Sequence, residues 1–491
     1  MKKFLITALA TFSVLACDKA PYAPPEPVTE PNTPGIICVD QPLTVEFESA
    51  PVLGGEGLIR VYIADGTEVD RIDMADRDNM TTLTSGITVP SEQITATTVF
   101  HTFMDALHCT RYRIVSFTPV KVKGNNLEIR LHSDALDFDT EYYLTIDEGV
   151  VGGFDGIRKG EYSFKTAKAP ESAEKLRVAA DGSGDFCTIQ RAFSYAPKTG
   201  CEITVAPGTY EELLYLRDKN GITLKGDSRD DVKIVCPNSE LYNNGSGSNV
   251  TEKPNHGSPV TKPGGRCLFL AENCSDLRLE NLTIENTFWA DDHKGQAETI
   301  YFNDGSNARK FVIENCSLIS WQDTFLTKGQ VWVHNSLIAG HVDYIWGYPD
   351  VCLFEDCEIR SRAAGYIVQA RVPAGHKGFV FLNCSLTAES GVKDGAMYLA
   401  RSGGDSSVQD NVLYVNCKMS PVIASAGWFG PSVNSGAKTP TPGEPTESAG
   451  WREYGSVTPA GAPVTGHNSY GKVLTASEAS PYLTHESILG W

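Results

Sequence analysis

Asp323 and Asp343 stand twenty residues apart in the stretch "WQDTFLTKGQVWVHNSLIAGHVDYIWG", positions 321–347. The neighbours Trp321, Phe325, Tyr344, Ile345 and Trp346 are bulky and apolar. Burying a carboxylate among such residues is costly unless it is paired or hydrogen-bonded. If the two carboxylates share one pocket, they cannot both ionise easily, and one stays protonated. The chemistry open to such a pair is a nucleophile or base beside an acid. A pair of solvated surface aspartates is the plainer alternative, but these neighbours make a poor solvated face.

Something must bring the two together, and a repeat does. The segments "LRLENLTI" (277–284), "FVIENCSLI" (311–319), "VWVHNSLI" (331–338), "CLFEDCEI" (352–359), "FVFLNCSL" (379–386) and "VLYVNCKM" (412–419) align. Asn281, Asn315, Asn335, Asp356, Asn383 and Asn416 mark one phase, at spacings of 34, 20, 21, 27 and 33 residues. Residues two and four positions earlier are apolar in every copy. Short strands joined at an Asn bend, recurring every twenty residues or more, predict a parallel β-helix. Asn and Asp suit the bends because they tolerate left-handed backbone angles. Cys316, Cys357, Cys384 and Cys417 share the next phase and are expected to form an internal stack, not a redox site. Asp323 and Asp343 each follow a bend residue by eight positions. Same-phase residues on stacked strands sit ~4.8 Å apart, so the carboxylates should lie side by side.

The rest of the chain sets the context. Its 491 residues suggest more than one domain, and its net charge of −19 argues against nucleic acid as a partner. "MKKFLITALATFSVLAC" has the form of a secretory signal, and its ending resembles a bacterial lipobox. Residues 1–17 are thus expected to be a lipoprotein signal that ends at a lipidated Cys17. The protein would then be lipid-anchored in the cell envelope, at the outer membrane or cell surface. Residues 18–35 form a proline-rich spacer. Residues 36–167 alternate in short runs separated by turn signals, a β-sandwich pattern similar to bacterial Ig-like domains. It is expected to act as a spacer or a docking module, in which Cys38 and Cys109 could bridge. A linker at 168–175 leads to the β-helix at 176–491. The chain is therefore read as all-β.

Residues 176–491 resemble the pectin methylesterases, a family of carbohydrate esterases. "VAADGSGDFCTIQRAF" and "APGTYEE" match the opening motifs. "QAETI" (296–300), "QDTFL" (322–326), "VDYIWG" (342–347) and "YLARSGG" (398–404) match the four active-site segments, in order. The resemblance implies a right-handed parallel β-helix and hydrolysis of galacturonate methyl esters in pectin. It further implies Asp343 as nucleophile, Asp323 as acid and then base, Gln296 and Gln322 as oxyanion donors, and Arg401 as the holder of Asp343. No cofactor or metal is implied, and a monomer is expected. The sequence departs from the family pattern in three ways. Gly403 stands where a groove tryptophan is usual. Glu298 occupies a position that is usually apolar. Tyr344 and Trp346 replace phenylalanines.

Rival readings remain open: an esterase for another acyl ester, a β-helical glycoside hydrolase, a calcium-dependent lyase, or a glycan-binding β-helix without turnover. The chain lacks the "GHG" segment of β-helical polygalacturonases, and Asp291 and Asp292 fall outside the repeat's phase. No GxSxG or HExxH segment occurs, which disfavours a serine hydrolase or a zincin. His341 reads as a groove or surface residue.

Overall fold

The computed structural model describes residues 35–75, 99–103, 113–132, 134–240, 243, 245–247, 265–288, 295–306, 308–405, 407–430, 445–464 and 467–491. The signal segment with Cys17, the spacer up to residue 34, Cys109, Asp291 and Asp292 lie outside them.

From Lys175 onward the strands form one 23-stranded sheet wound on itself, in which most strands pair in parallel with the third one along the chain. Each coil therefore has three short strands, and the fold is a parallel β-helix. Equal phase becomes direct stacking. Leu279, Ile313, Val333, Phe354, Phe381 and Tyr414 are successive register partners, and all are closed off from solvent. The rings of Phe354 and Phe381 stack 4.8 Å apart, and those of Phe381 and Tyr414 stack 4.5 Å apart. These separations match the strand spacing of a sheet, so the coil repeat itself sets the core packing.

The bends are where the repeat places them. Asn281, Asn315, Asn335, Asp356, Asn383 and Asn416 all have φ between 48° and 55°. Most L-residues avoid this left-handed region, whereas Asn and Asp visit it. The stacked amides also bond, as Asn315 Nδ2 donates to Asn281 Oδ1 at 2.9 Å. The residue after each bend turns inward. Cys357, Cys384 and Cys417 are buried, and their thiols donate to the carbonyls of Val333, Phe354 and Phe381 on the preceding coil at 3.2–3.4 Å. Cys357, Cys384 and Cys417 thus form an internal stack, while Ser336 on the intervening coil separates Cys316 from them, its hydroxyl accepting from the Cys316 N–H at 2.9 Å.

The outer face of one strand row is apolar too, because the C-terminal segment covers it. Leu353, Val380 and Leu413 pack against Leu474, Tyr482 and Ile488. Helices Ala476–Ala479 and His485–Leu489 are each started by a threonine capping box.

Residues before the β-helix form a five-stranded sheet, Ile36–Ile37, Ser163–Thr166, Glu141–Ile146, Leu58–Ile63 and Glu68–Asp73, and a three-stranded sheet, Leu43–Glu46, Asn126–Ile129 and Val120–Lys123. Strands Val99–Phe103 and Arg113–Phe117 pair antiparallel with each other. Buried side chains from the two larger sheets join one core, among them Val45, Leu127, Val61 and Leu144.

This region is docked on the β-helix. Asp40 accepts from the main-chain N–H groups of Cys187 and Thr188 and from the Thr188 hydroxyl, at 2.6–3.1 Å. Cys38 faces Cys187. Arg113 is fully buried, and its guanidinium donates to the carbonyls of Leu214 (2.6 Å), Leu268 (3.2 Å), Gly265 (2.8 Å) and Cys267. A simple spacer would make no such contacts. Arg113→Met keeps much of the volume but leaves these carbonyls short of donors, at about 1–3 kcal/mol for an unsatisfied buried group. A clearly lowered Tm is expected. Unchanged thermal unfolding would show that the guanidinium does not hold the two parts together.

Candidate active site

The sequence-derived candidates come from successive coils. Gln296 precedes the strand Ile300–Asn303, and Gln322 and Asp323 precede Phe325–His334. Asp343 lies within Leu337–Glu355, and Arg401 ends Met397–Arg401. Parallel stacking brings all five together. Gln296 and Gln322 are partners in a parallel bridge, and the Ala297 N–H bonds the Gln322 carbonyl at 3.1 Å. The Asp323 N–H bonds the Val342 carbonyl at 3.1 Å, and Phe325 registers with Ile345. Asp323 and Asp343 therefore occupy equivalent positions, each two residues before a registered pair.

Both aspartates are left-handed, with φ of 65° and 49°. Non-glycine residues in this region are uncommon, and they cluster where the surrounding fold fixes a side chain's direction. Both are buried, at 3% and 4% exposed, with Phe325, Tyr344, Ile345 and Trp346 buried around them.

The two carboxylates have different partners. Asp343 accepts from Arg401 Nε at 2.8 Å, from Arg401 Nη2, and from Gln369 Nε2 at 2.8 Å. Gln369 is held in turn by Arg371, whose Nε and Nη2 reach its Oε1 at 3.0 and 2.6 Å. An arginine side chain only donates, so the glutamine oxygen must face Arg371 and its NH2 must face Asp343. Two guanidinium bonds and one amide bond suit a carboxylate anion.

Asp323 is held well above the ordinary carboxylate range. Burial is the main cause. The charge of Glu298 adds to it, Arg266 opposes it, and the charge of Asp343 adds again. The Arg266 Nη2 lies 3.5 Å from Asp323 Oδ2. The site therefore favours a proton on Asp323 beside a carboxylate clasped by Arg401 and Gln369, an arrangement suited to acid-plus-nucleophile chemistry.

Glu298 lies fully buried against Arg266, whose Nε donates to its Oε1 at 2.6 Å. Gly403 leaves open the place of an aromatic wall, and a Cβ there would meet Gln369 Oε1 at 3.2 Å. Another aromatic group stands nearby. Tyr366 and Tyr398 stack at 5.9 Å, the half-exposed Phe429 packs on both at 4.9 and 5.0 Å, and the Arg401 guanidinium lies 4.6 Å from the Tyr366 ring centre. His341 is buried edge-on to Trp321. Among the described residues no group of three or more His, Cys, Asp or Glu side chains could hold a metal ion.

Sequence reasoning did not assign Arg266, Gln369 or Arg371. Gln369 is 26 residues from Asp343 and Arg266 is 32 from Glu298, and neither separation is a repeat interval. The one available signal was Glu298, a charge in an apolar position that needs a buried partner.

Comparison with known proteins extends this picture. The Pectinesterase family model matches residues 175–450, beginning where the N-terminal sheets end. Pectinesterase 31 of Arabidopsis thaliana is 31% identical over 263 residues, covering 52% of this chain and 76% of that protein. Pectinesterase A of Emericella nidulans is 27% identical over 274 residues, covering 55% of this chain and 77% of its own. Among solved structures, pectin methylesterase PemA from Erwinia chrysanthemi superposes with a TM-score of 0.50 at 22% identity, over 66% of this chain and 98% of its own. That likeness speaks to the fold, while the family model and the sequence relatives speak to descent. With a family match over more than half of its length, the chain belongs to the pectinesterase family.

Proposed function

We propose that this carboxylic ester hydrolase removes methyl groups from galacturonate in pectin, with Asp343 as nucleophile and Asp323 as acid and base. The observation that carries the reading is the unequal pair: Asp343 clasped by Arg401 and Gln369, beside a buried Asp323 with the Arg266 guanidinium 3.5 Å away and its carboxyl pushed up by burial. Asp343 attacks the C6 carbonyl carbon, and the carbonyl electrons move to oxygen. The side chains of Gln296 and Gln322 donate to that oxyanion. Such donors are each worth roughly 2.7–4 kcal/mol in enzymes. Collapse breaks the bond to the methoxy oxygen, which takes the Asp323 proton and leaves as methanol. An acyl anhydride remains on Asp343. Asp323, now a carboxylate, takes a proton from water as the water attacks the anhydride carbonyl. Expulsion of Asp343 releases the galacturonate carboxyl and restores both residues.

Asp343→Asn removes the nucleophile and should abolish methanol release. Asp323→Asn removes the proton donor and should slow release ~10²–10⁴-fold. The double variant should be scarcely worse than Asp343→Asn, since residues acting as a unit are not additive. Near-normal methanol release by folded Asp343→Asn would sink the mechanism. Shortened or unsaturated pectin chains from the unmodified enzyme would point to a β-helical glycosidase or lyase.

The Phe429, Tyr366 and Tyr398 group serves, in this reading, as a sugar-facing surface in place of the aromatic absent at Gly403. Phe429→Ala should raise KM for methylated homogalacturonan several-fold with little change in kcat. An unchanged KM would remove the aromatic group from the groove.

The N-terminal region completes the proposal as an Ig-like module on a monomer, tethered by a lipid on Cys17 at the outer membrane or cell surface. The support is the lipobox-like segment "VLAC" after an apolar run. Cys17→Ala should move the protein from the membrane fraction to the soluble one. Retention with the membranes would refute the anchor.

A further inference from the structure

Arg266 and Glu298 take no part in the steps above, yet they lie against the residues that do. Glu298 is 0% and Arg266 7% exposed. A buried ion pair gains little stability over an apolar pair of similar size, so stability alone is a weak reason for it.

The Arg266 guanidinium reaches in four directions. Nε donates to Glu298 Oε1 at 2.6 Å, Nη1 donates to Glu240 Oε2 at 2.7 Å and to Gln296 Oε1, and Nη2 lies 3.5 Å from Asp323 Oδ2. The guanidinium also lies over the Trp346 ring. Its main chain is pinned on both sides, since Arg113 and Asn238 each donate to the carbonyls of Gly265 and Cys267. Arginine only donates, so the Gln296 oxygen must point at Arg266. The Gln296 NH2 is thereby turned away and bonds Asp323.

That service has an electrostatic consequence. An arginine this close to an aspartate favours its ionised form, which has no proton to give. Burial pushes Glu298 up, but the Arg266 guanidinium against it opposes that shift, so its carboxylate is set against the same guanidinium. Its Oε2 has no hydrogen-bond partner among the described residues. The charged groups around Asp323 are Arg266 before the strand Phe269–Glu272, Glu298 before Ile300–Asn303, Asp343 on the next coil, and Arg401, which is engaged with Asp343. Glu240 meets Arg266 from a partly exposed position farther out.

We propose that Arg266 and Glu298 are a positioning pair for the ester chemistry: Arg266 aims the Gln296 amide, and Glu298 cancels the charge that Arg266 would otherwise impose on Asp323. The pair deepens the mechanism above and rests on its assignment of Asp323 and Gln296. It also gives a role to the charged residue that stands in "QAETI" where the family pattern is apolar.

The test is the pH dependence of methanol release from methylated pectin by the full chain, with thermal unfolding as the check on folding. Activity needs Asp323 protonated, so the alkaline limb of kcat/KM follows its ionisation. In Glu298→Gln the Arg266 charge is left uncompensated, Asp323 ionises at lower pH, and the alkaline limb should move down by about 1–3 pH units. In Arg266→Gln/Glu298→Gln the alkaline limb should return toward the unmodified position. Its kcat should stay reduced, up to ~10²-fold, because Gln296 is no longer aimed.

A merely structural pair would lower the folded fraction and the rate equally at every pH. Folded Glu298→Gln with an unmoved alkaline limb would overturn the proposal. If Glu298→Gln does not fold, the double variant decides: reduced kcat with an unmoved limb supports the pair, and unimpaired kcat overturns it. Asp343→Asn separates the two levels of argument. If it is inactive while the Glu298→Gln limb stays put, the pair fails and the mechanism stands. If it releases methanol normally, the mechanism itself fails.

Discussion

Parallel stacking, coil on coil at one strand spacing, is the constraint on which everything else depends. It makes residues of equal phase into neighbours, whatever their distance along the chain. The interior aromatic ladder through Phe354, Phe381 and Tyr414 follows from it. So does the row of left-handed Asn and Asp bends, where most other side chains would strain the backbone. The carboxylate pair is placed by the same device. Asp323 and Asp343 are left-handed residues at one phase, and the sheet that buries them also fixes their separation.

That is why the core of the site was legible in the sequence. The intervals of twenty and twenty-one residues around Asn335 are short enough for the period to be seen, and the two aspartates fall within that regular part. Arg401 was not legible from the period, because it lies 58 residues from Asp343 beyond a longer loop. Its assignment rested on resemblance; the structure puts its guanidinium on the Asp343 carboxylate. Gln369, Arg371 and Arg266 escaped both routes. Gln369 and Arg266 act by side-chain contacts between coils and Arg371 by a contact with Gln369 two residues away, and contacts of these kinds leave no pattern in spacing or hydrophobicity. The N-terminal region shows the same limit. Its alternation revealed strands, while the docking contacts of Asp40 and Arg113 depend on how two surfaces meet.

Charge in the site is shared out in two pairs, an arginine with a buried carboxylate in each, and one carboxyl is left over. Arg401 belongs to Asp343 and Arg266 to Glu298. Asp323 is the remainder, near both pairs and owned by neither, so burial decides its protonation. Two glutamines are oriented in the same way. Arg371 turns Gln369 toward Asp343, and Arg266 turns Gln296 toward Asp323. An amide alone can present either end, and a donor-only neighbour removes that ambiguity.

These contacts also give the N-terminal region a place in the logic of the site. Its Arg113 enters the β-helix and grips the carbonyls of Gly265 and Cys267, the residues on either side of Arg266. A chain of direct contacts therefore runs from the N-terminal sheets through the Arg266 backbone to Gln296 and Asp323. Arg113 is buried, and its guanidinium donates to four main-chain carbonyls. Two of them flank Arg266, so the clamp fixes the backbone on both sides of the residue that aims Gln296. The same stacking that sets the carboxylate pair thus leaves carbonyls at one place where a side chain from outside the β-helix can grip them.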